Sequence, residues 1–420
     1  MEFRKFDYSS ALQLLADATS NGIELPYSQN TDVLAKPLTI TGRRIENRIL
    51  AQPIEGFDAE ADGSPSQRSI SRYLDLAKGG VGTIWMESIS VNHSGRSNPH
   101  QFWLTRDNVD NFKNLVDQIH QATGHGSPVY VVAQLTHSGR YSRPGQYAAP
   151  ICAFHNPLIP KDNEHIVSDD EVQVIIDDYI AAIKLAQQAG FDAVDVRACH
   201  GYLINEFFAA YDREGCYGGS FDNRMRFLMS VIDGARASCD ITLGVRLNMY
   251  DGLPYPYGWG CNKNDAKKLD TSEPLQLVGN LAKHGIAILN VSAGVGAYTP
   301  HVIRPYDSGG VIPEEHPLQG VSRLLGLARQ AKREAPGCSV VCSGLTWLRQ
   351  FAPNVAAGGI DEGWFDLAGF GRQSIAYPDF ANDFLEHRQP AVFCATCGGC
   401  TALIKKMGKE LRCVRRHYDY

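Results

Sequence analysis

No run of apolar residues in this chain is long enough to cross a bilayer, which excludes an integral helical membrane protein. The amino terminus, MEFRKFDYSSALQLLADATS, is amphipathic and carries neither the apolar core nor the cleavage site of an export signal. Basic runs are missing too, and with a net charge of −6 the chain has no footprint for nucleic acid. No Gly-x-Gly-x-x-Gly follows a strand-like segment, which argues against an open dinucleotide-binding sheet. Low-complexity tracts are absent, as is any repeat beyond a strand–helix period. Eleven cysteines are an odd number, and without an export signal metal or redox use outranks a disulfide framework. The expectation is a cytoplasmic chain without membrane or nucleic acid partners.

What is present is ample for a large core: 420 residues, 44% of them hydrophobic and 20% charged. Eight short apolar runs recur, each followed by a helical pattern or a Gly-rich loop. They span Asn47–Pro53, Val81–Ser88, Pro128–His137, Phe191–Cys199, Thr242–Met249, Ile286–Gly294, Ser339–Gly344 and Phe365–Arg372. Helical stretches such as Asp107–Thr123, Asp169–Ala189 and Arg224–Ala237 lie between them. Strands alternating with helices imply parallel pairing, and eight such units favour an α/β fold closed as a (β/α)8 TIM barrel. Active residues then belong at the C-terminal strand ends. Three segments follow: a helical lead-in over 1–35, the barrel over 36–385 and an extension over 386–420.

The strand ends are unusually polar. The seventh and eighth finish in Ser343–Gly344 and in Gly369–Phe370–Gly371–Arg372. Loops at these positions commonly hold a phosphate, because glycine lets backbone N–H groups approach and arginine adds a bidentate contact. The bland alternative is tight turns with Arg372 on a solvated face. The third strand presents Gln134, His137 and Arg140; an amide there both donates and accepts, which suits the edge of a heterocycle. Arg246 lies inside an apolar run on the fifth strand and needs an anionic partner. The edge of a reduced ring would serve, and so would Asp195 or Glu87. After the fourth strand, Arg197, His200 and Tyr202 stand close together and could bind a carbonyl or carboxylate and supply a proton. A Tyr–His hydrogen bond that merely stiffens the loop is the alternative.

The tail sets Cys394, Cys397 and Cys400 three apart and returns with Cys413. Four thiolates at this spacing suit one metal centre, and zinc and an iron–sulfur cluster both fit.

Taken in order, these segments resemble the old yellow enzyme family of FMN-dependent oxidoreductases. FDAVDVRACHGYLINEFFAAYDREGCYGGSFDNRMRF is similar to the family's strand-four block. NRILAQP, GGVGTIWMES, QLTHSGR, GVRLNM and GFGRQSIAYPDF resemble its first, second, third, fifth and eighth strand segments. The tail is similar to the long subfamily typified by trimethylamine dehydrogenase and 2,4-dienoyl-CoA reductase, which implies a 4Fe–4S cluster on the four cysteines, ahead of zinc. The resemblance implies FMN as cofactor, with Pro53, Ser88, Gln134 and Arg246 around the ring and Ser343, Gly344, Gly371 and Arg372 at its phosphate. It implies Tyr202 as proton donor and His200 as a substrate anchor. Arg197 departs from the histidine or asparagine usual at the other anchor, and points to a substrate bearing a carboxylate or other anion. Glu55 stands where trimethylamine dehydrogenase has its flavin-linking cysteine, so a covalent flavin is not expected by that route.

The reading that follows is an ene-type reductase, adding hydride from the flavin to an activated C=C of a small molecule while Tyr202 protonates the other carbon. NADH or NADPH would donate electrons directly, or a partner flavoprotein or reductase would deliver them; the resemblance also leaves room for a homo-oligomer. An amine or N-methyl dehydrogenase with electrons flowing out through the cluster is a second reading, for which Tyr250, Tyr255, Tyr257, Trp259 and Tyr298 could form an aromatic cage. A third, of another class, is a non-redox phosphate-barrel lyase or isomerase with structural zinc.

Overall fold

Near-continuous apolar runs such as Thr83–Ser90 and Tyr130–Thr136 are buried at every position, as strands must be when a barrel interior covers one face and helices the other. The computed structural model describes residues 5–122, 128–309, 311–407 and 409–415. Its central strands are β1 (Ile49–Ala51), β2 (Thr83–Ser90), β3 (Tyr130–Thr136), β4 (Ala193–Val196), β5 (Thr242–Asn248), β6 (Ile288–Ser292), β7 (Ser339–Cys342) and β8 (Leu367–Phe370). All are parallel. β1 pairs with β2 through Leu50 opposite Thr83 and with β8 through Leu50 opposite Gly369, and this double pairing closes the barrel.

The outer helices are α1 (Gln67–Lys78), α2 (Val109–Gln121), α3 (Asp169–Gln188), α4 (Phe221–Arg236), α5 (Ser272–Lys283), α6 (Pro317–Glu334), α7 (Ala352–Asp361) and α8 (Phe380–Leu385). Local chemistry starts them. Ser168 and Glu171 form a reciprocal capping box at α3, Ser220 accepts from the Asn223 N–H at α4, and Pro317 opens α6. The expected helices agree with α2, α3 and α4 to within three residues at each end.

Several short strands outside the barrel were not anticipated, and one pair of them closes the floor. A hairpin, Leu38–Ile40 with Arg43–Ile45, turns through Thr41 and Gly42, both at positive φ. Its Ile40 and Ile45 plug the barrel floor against Leu50, Trp85, Tyr130, Val132, Ile288 and Val341. Each such side chain, fully buried, contributes about 1.5–3 kcal/mol.

At the opposite end the C-terminal segment folds back over the strand ends. Leu411 N–H donates to the Gly56 carbonyl at 2.8 Å, and Arg68 pairs with Glu410 at 3.0 Å. Among the described residues no helix is long and apolar enough to cross a membrane.

Candidate active site

The strand ends and the C-terminal segment enclose a cavity of about 970 Å³. Pro53, Ser88, Arg197, His200, Tyr202, Arg246, Ser343, Gly344, Gly371 and Arg372 all line it, so the barrel gathers ten residues singled out from sequence into one place. Gln134 is not on that wall. It is buried behind Ser88, its oxygen accepting from Ser88 Oγ at 3.1 Å and its nitrogen donating to Asp195 at 2.7 Å. Each end of the amide is engaged by protein, and through its oxygen it orients Ser88 on the wall.

The turn after β4 aims the central group. His200 (φ 64°) and Gly201 (φ 77°) reverse the chain, and a Cβ on Gly201 would lie 2.8 Å from Val295 Cγ1. Gly201 N–H then donates to Asn205 Oδ1 at 2.6 Å, fixing the turn. As a result Arg197 lies over the Tyr202 ring, its Cζ 3.5 Å from the ring centroid. Arg197 Nη1 also donates to Ser88 Oγ and stands 3.6 Å from Glu55. Tyr202 donates its hydroxyl to Glu55 Oε1 at 3.2 Å, and Ser97 donates to Oε2 at 2.9 Å. Burial pushes the Tyr202 phenol well above its usual range; Glu55 adds to this and Arg197 opposes it. Burial alone would lower the Arg197 pKa, but Tyr202, Cys199 and Glu55 together raise it, so the guanidinium stays charged. His200 Nε2 lies 2.7 Å from Ser292 Oγ.

Glu55 is the functional residue that sequence reasoning passed over, having noticed it only as a replaced cysteine. Its signal was proximity to Pro53 at the end of the first strand. Among the described residues it is also the one carboxylate on a wall otherwise rich in cations, with Arg143, Lys161, Arg246, Arg304 and Arg372.

Neither carboxylate proposed as a salt-bridge partner for Arg246 makes a close ion pair with it, although Asp195 is near enough to attract it. Asp195 accepts from Trp85 Nε1 (2.8 Å), from Gln134 and from the Arg246 backbone N–H (2.5 Å). Glu87 accepts from Arg72 (2.5 Å), Tyr73 (3.0 Å) and Gly56 N–H (2.6 Å). Arg246 is buried with its Nε lacking a partner, and burial lowers its pKa. A buried cation whose nearest carboxylate is shared with other donors remains costly, and an anionic ring edge would relieve it.

At the far end, Gly344 (φ 95°) and Gly371 leave backbone exposed beside Arg372, whose Nε is likewise buried without a partner. Orphaned guanidinium nitrogens at two ends of one cavity, with glycine between strand end and helix, fit a planar heterocycle carrying a phosphate. The residues present therefore fit FMN.

The aromatic cage does not form here. None of Tyr250, Tyr255, Tyr257, Trp259 and Tyr298 lines this cavity, and Trp259 and Tyr250 donate instead to the carbonyls of Asn248 (2.9 Å) and Ala266 (2.7 Å).

Of the four tail cysteines, Cys394, Cys400 and Cys413 influence one another electrostatically. Burial raises the Cys394 thiol to about 11, with Cys400 and Cys413 adding to the shift, and a Cβ on Gly399 would lie 2.2 Å from Val414. Yet among the described residues no group of three or more His, Cys, Asp or Glu side chains is placed to hold a metal ion. This differs from the tetrathiolate expected at Cys394, Cys397, Cys400 and Cys413. Thiolates repel, and the binding energy of the metal is normally what draws them together.

Comparison with known proteins agrees with the barrel. The model of the NADH:flavin oxidoreductase / NADH oxidase family matches residues 33–271, more than half of the chain. NADH oxidase of Thermoanaerobacter brockii is 28% identical over 387 residues, covering 88% of this chain and 53% of that protein. NADPH dehydrogenase of Geobacillus thermodenitrificans is 30% identical over 266 residues, covering 62% of this chain and 73% of that protein. A solved complex of 2-naphthoyl-CoA reductase with 2-naphthoyl-CoA shares the fold, with a TM-score of 0.75 at 21% identity over 91% of this chain and 57% of that one. The chain thus spans about half the length of the NADH oxidase it matches. A flavin-free lyase or isomerase is set aside by this placement. By its family model, its closed barrel and a cavity that fits FMN, the chain belongs to the NADH:flavin oxidoreductase / NADH oxidase family, the FMN-dependent oxidoreductases of the old yellow enzyme type.

Proposed function

We propose that this protein is an ene reductase, reducing an activated C=C of a small molecule at the expense of NADH or NADPH. The observation that carries the reading is Tyr202, held on the cavity wall between the Arg197 guanidinium and the Glu55 carboxylate. FMN, when bound, supplies hydride transfer at its ring. Arg246, Ser88, Pro53 and Gln134 would hold that ring, and Ser343, Gly344, Gly371 and Arg372 its phosphate.

The chain's own residues do the rest. Tyr202 gives its proton to the carbon left electron-rich by hydride addition; a phenol too weak to ionise in its resting state is a competent acid toward a carbanion. Arg197, stacked on the ring, then stabilises the phenolate charge. His200 anchors the substrate oxygen and so orients the double bond. Glu55 competes with any substrate carboxylate for Arg197, which favours an uncharged conjugated carbonyl over the anionic substrate that Arg197 alone would imply.

The same reading takes the segments 1–35, 36–385 and 386–420 as lead-in, barrel and extension of a cytoplasmic enzyme. It assigns the four tail cysteines to a 4Fe–4S cluster, with zinc as the rival, on the support of their resemblance to the cysteine segment of the long subfamily, since their spacing alone suits either. A cluster there would open a route to an electron-transfer partner.

The test is anaerobic purification with an absorbance spectrum and assays of FMN, iron and sulfide. Reduction by NADPH followed by reoxidation with 2-cyclohexenone should then be measured beside candidate amines as reductants. Flavin that is reoxidised by the enone supports the reading; flavin reduced by amines and inert to enones overturns it. Iron and sulfide near four each per chain support the cluster, and stoichiometric zinc without sulfide refutes it.

A further inference from the structure

The loop that carries Glu55 is gripped through the backbone of its next residue. Gly56 donates its N–H to Glu87 Oε2 at 2.6 Å, and its carbonyl accepts from the Leu411 N–H at 2.8 Å. Glu87 is buried on β2, and its other oxygen takes Arg72 at 2.5 Å and Tyr73 at 3.0 Å. Arg72 also pairs with Asp58, to which Ser69 donates at 2.9 Å. Ser69, Arg72 and Tyr73 share one face of α1, and Arg68, one turn before Arg72, holds Glu410 beside Leu411. Between the two held residues, Gly56 and Asp58, Phe57 stands on the cavity wall at φ 58°. Glu87, Arg72, Asp58 and Leu411 lie behind that wall rather than on it.

A bulky residue in the left-handed region is strained, and such strain persists only where the surroundings over-determine the backbone. Buried ion pairs gain little net stability, because desolvation offsets most of their attraction. What this network supplies is direction. It sets where the chain enters Gly56, and with it where the Glu55 carboxylate stands, 3.6 Å from Arg197 and 3.2 Å from the Tyr202 hydroxyl.

We propose that Glu87 and the Leu411 N–H are positioning groups for Glu55: by holding Gly56 at its N–H and its carbonyl they fix how closely the Glu55 carboxylate meets Arg197, so that the cysteine-bearing extension takes part in the choice between charged and uncharged substrates. The inference rests on the reading of Glu55 as the group that competes with a substrate carboxylate for Arg197.

The experiment uses the flavin-loaded full chain and reads apparent affinity for an α,β-unsaturated carboxylate against that for the matching ketone. Glu87→Gln cannot accept at both ends of its amide, and Leu411→Pro has no N–H to give. Each should raise the carboxylate-to-ketone ratio about threefold, half of the about tenfold shift of Glu55→Gln on a logarithmic scale. Leu411→Val keeps the N–H and should stay within about 1.5-fold of wild type; an equal shift there would place the effect in side-chain packing and overturn the role of the N–H. In a Glu55→Gln background both substitutions should move the ratio by less than about 1.5-fold, because the group they position is gone. A shift that persists in that background overturns the inference, since it would then travel by another route, such as Ser88 beside Glu87. An unchanged ratio in both single variants, with Glu55→Gln effective, overturns it too. If Leu411→Pro does not retain flavin, Glu87→Gln carries the same test from the barrel side. An unchanged ratio in Glu55→Gln itself refutes the competition for Arg197 and this inference with it.

Discussion

Replacing Tyr202 with phenylalanine removes one hydroxyl and leaves the ring beneath Arg197. The structural cost is small. The lost contact is the 3.2 Å bond to Glu55, and Glu55 keeps Ser97 at 2.9 Å and Arg197 at 3.6 Å. About 1 kcal/mol of stability is at stake, a shift in Tm of about 3 °C or less. The chemical cost is large, because loss of a positioned general acid slows protonation by about 10²–10⁴, equivalent to about 3–5 kcal/mol in the barrier. The two effects separate by half-reaction under anaerobic stopped flow. Reduction of Tyr202→Phe by NADPH should stay within about twofold of wild type, since no carbon is protonated there. Reoxidation by 2-cyclohexenone should slow at least about a hundredfold, while a quinone, protonated on oxygen, should reoxidise the variant at nearly the wild-type rate. Enone reoxidation within about threefold of wild type, with FMN fully bound, would refute Tyr202 as the proton donor.

Glu55→Gln removes the carboxylate 3.6 Å from Arg197; apparent affinity for an α,β-unsaturated carboxylate should rise about tenfold relative to the matching ketone, worth about 1.4 kcal/mol, and an unchanged ratio would show that Arg197 does not meet the substrate. His137 is fully buried, its pKa pushed by burial down to about 3 and its Nε2 left without a partner. Since the folded pKa lies below the unfolded 6.5, the stability it contributes is complete above pH 6.5 and is lost as pH falls toward 3, with about 2 kcal/mol gone by pH 5. Denaturant titrations at pH 7 and pH 5 should therefore show a smaller acid loss for His137→Asn than for wild type; parallel losses would contradict the argument. Gly369→Ala would place a Cβ 2.2 Å from Gln52 Nε2 and 2.5 Å from the Cys342 carbonyl oxygen. Backbone cannot yield as a side chain does, so a stability loss of at least about 1–3 kcal/mol and reduced flavin content are expected, and a wild-type Tm with full flavin would show that β7 and β8 part more easily than this spacing implies.

The eight barrel strands were legible because a strand buried on both faces must be apolar almost throughout, whatever its neighbours are. The floor hairpin was not, since strands of three residues carry too little alternation to register and only Gly42 marked the turn. Arg197, His200 and Tyr202 were legible as a group for a local reason: six residues around one tight turn cannot stray far apart. Arg246 was recognisable as a cation in need of an anion, but the sequence offered Asp195 and Glu87 equally. Packing removed Glu87, by committing it to Arg72 and Tyr73, and left Asp195 near Arg246 while its oxygens serve Trp85 and Gln134.

By itself, then, the sequence determined the barrel, the strand ends that carry chemistry and the proton-bearing turn after β4, because each follows from periodicity or from neighbours along the chain. Closure decided the rest. It brought Glu55 from the end of β1 against Tyr202, joined Gln134 to Asp195, and set Thr401 of the tail between Arg304 and Arg372. Those contacts join residues far apart in the chain, and their partners are fixed by how charge and hydrogen bonds are shared out in a crowded interior, which no local pattern of residues encodes.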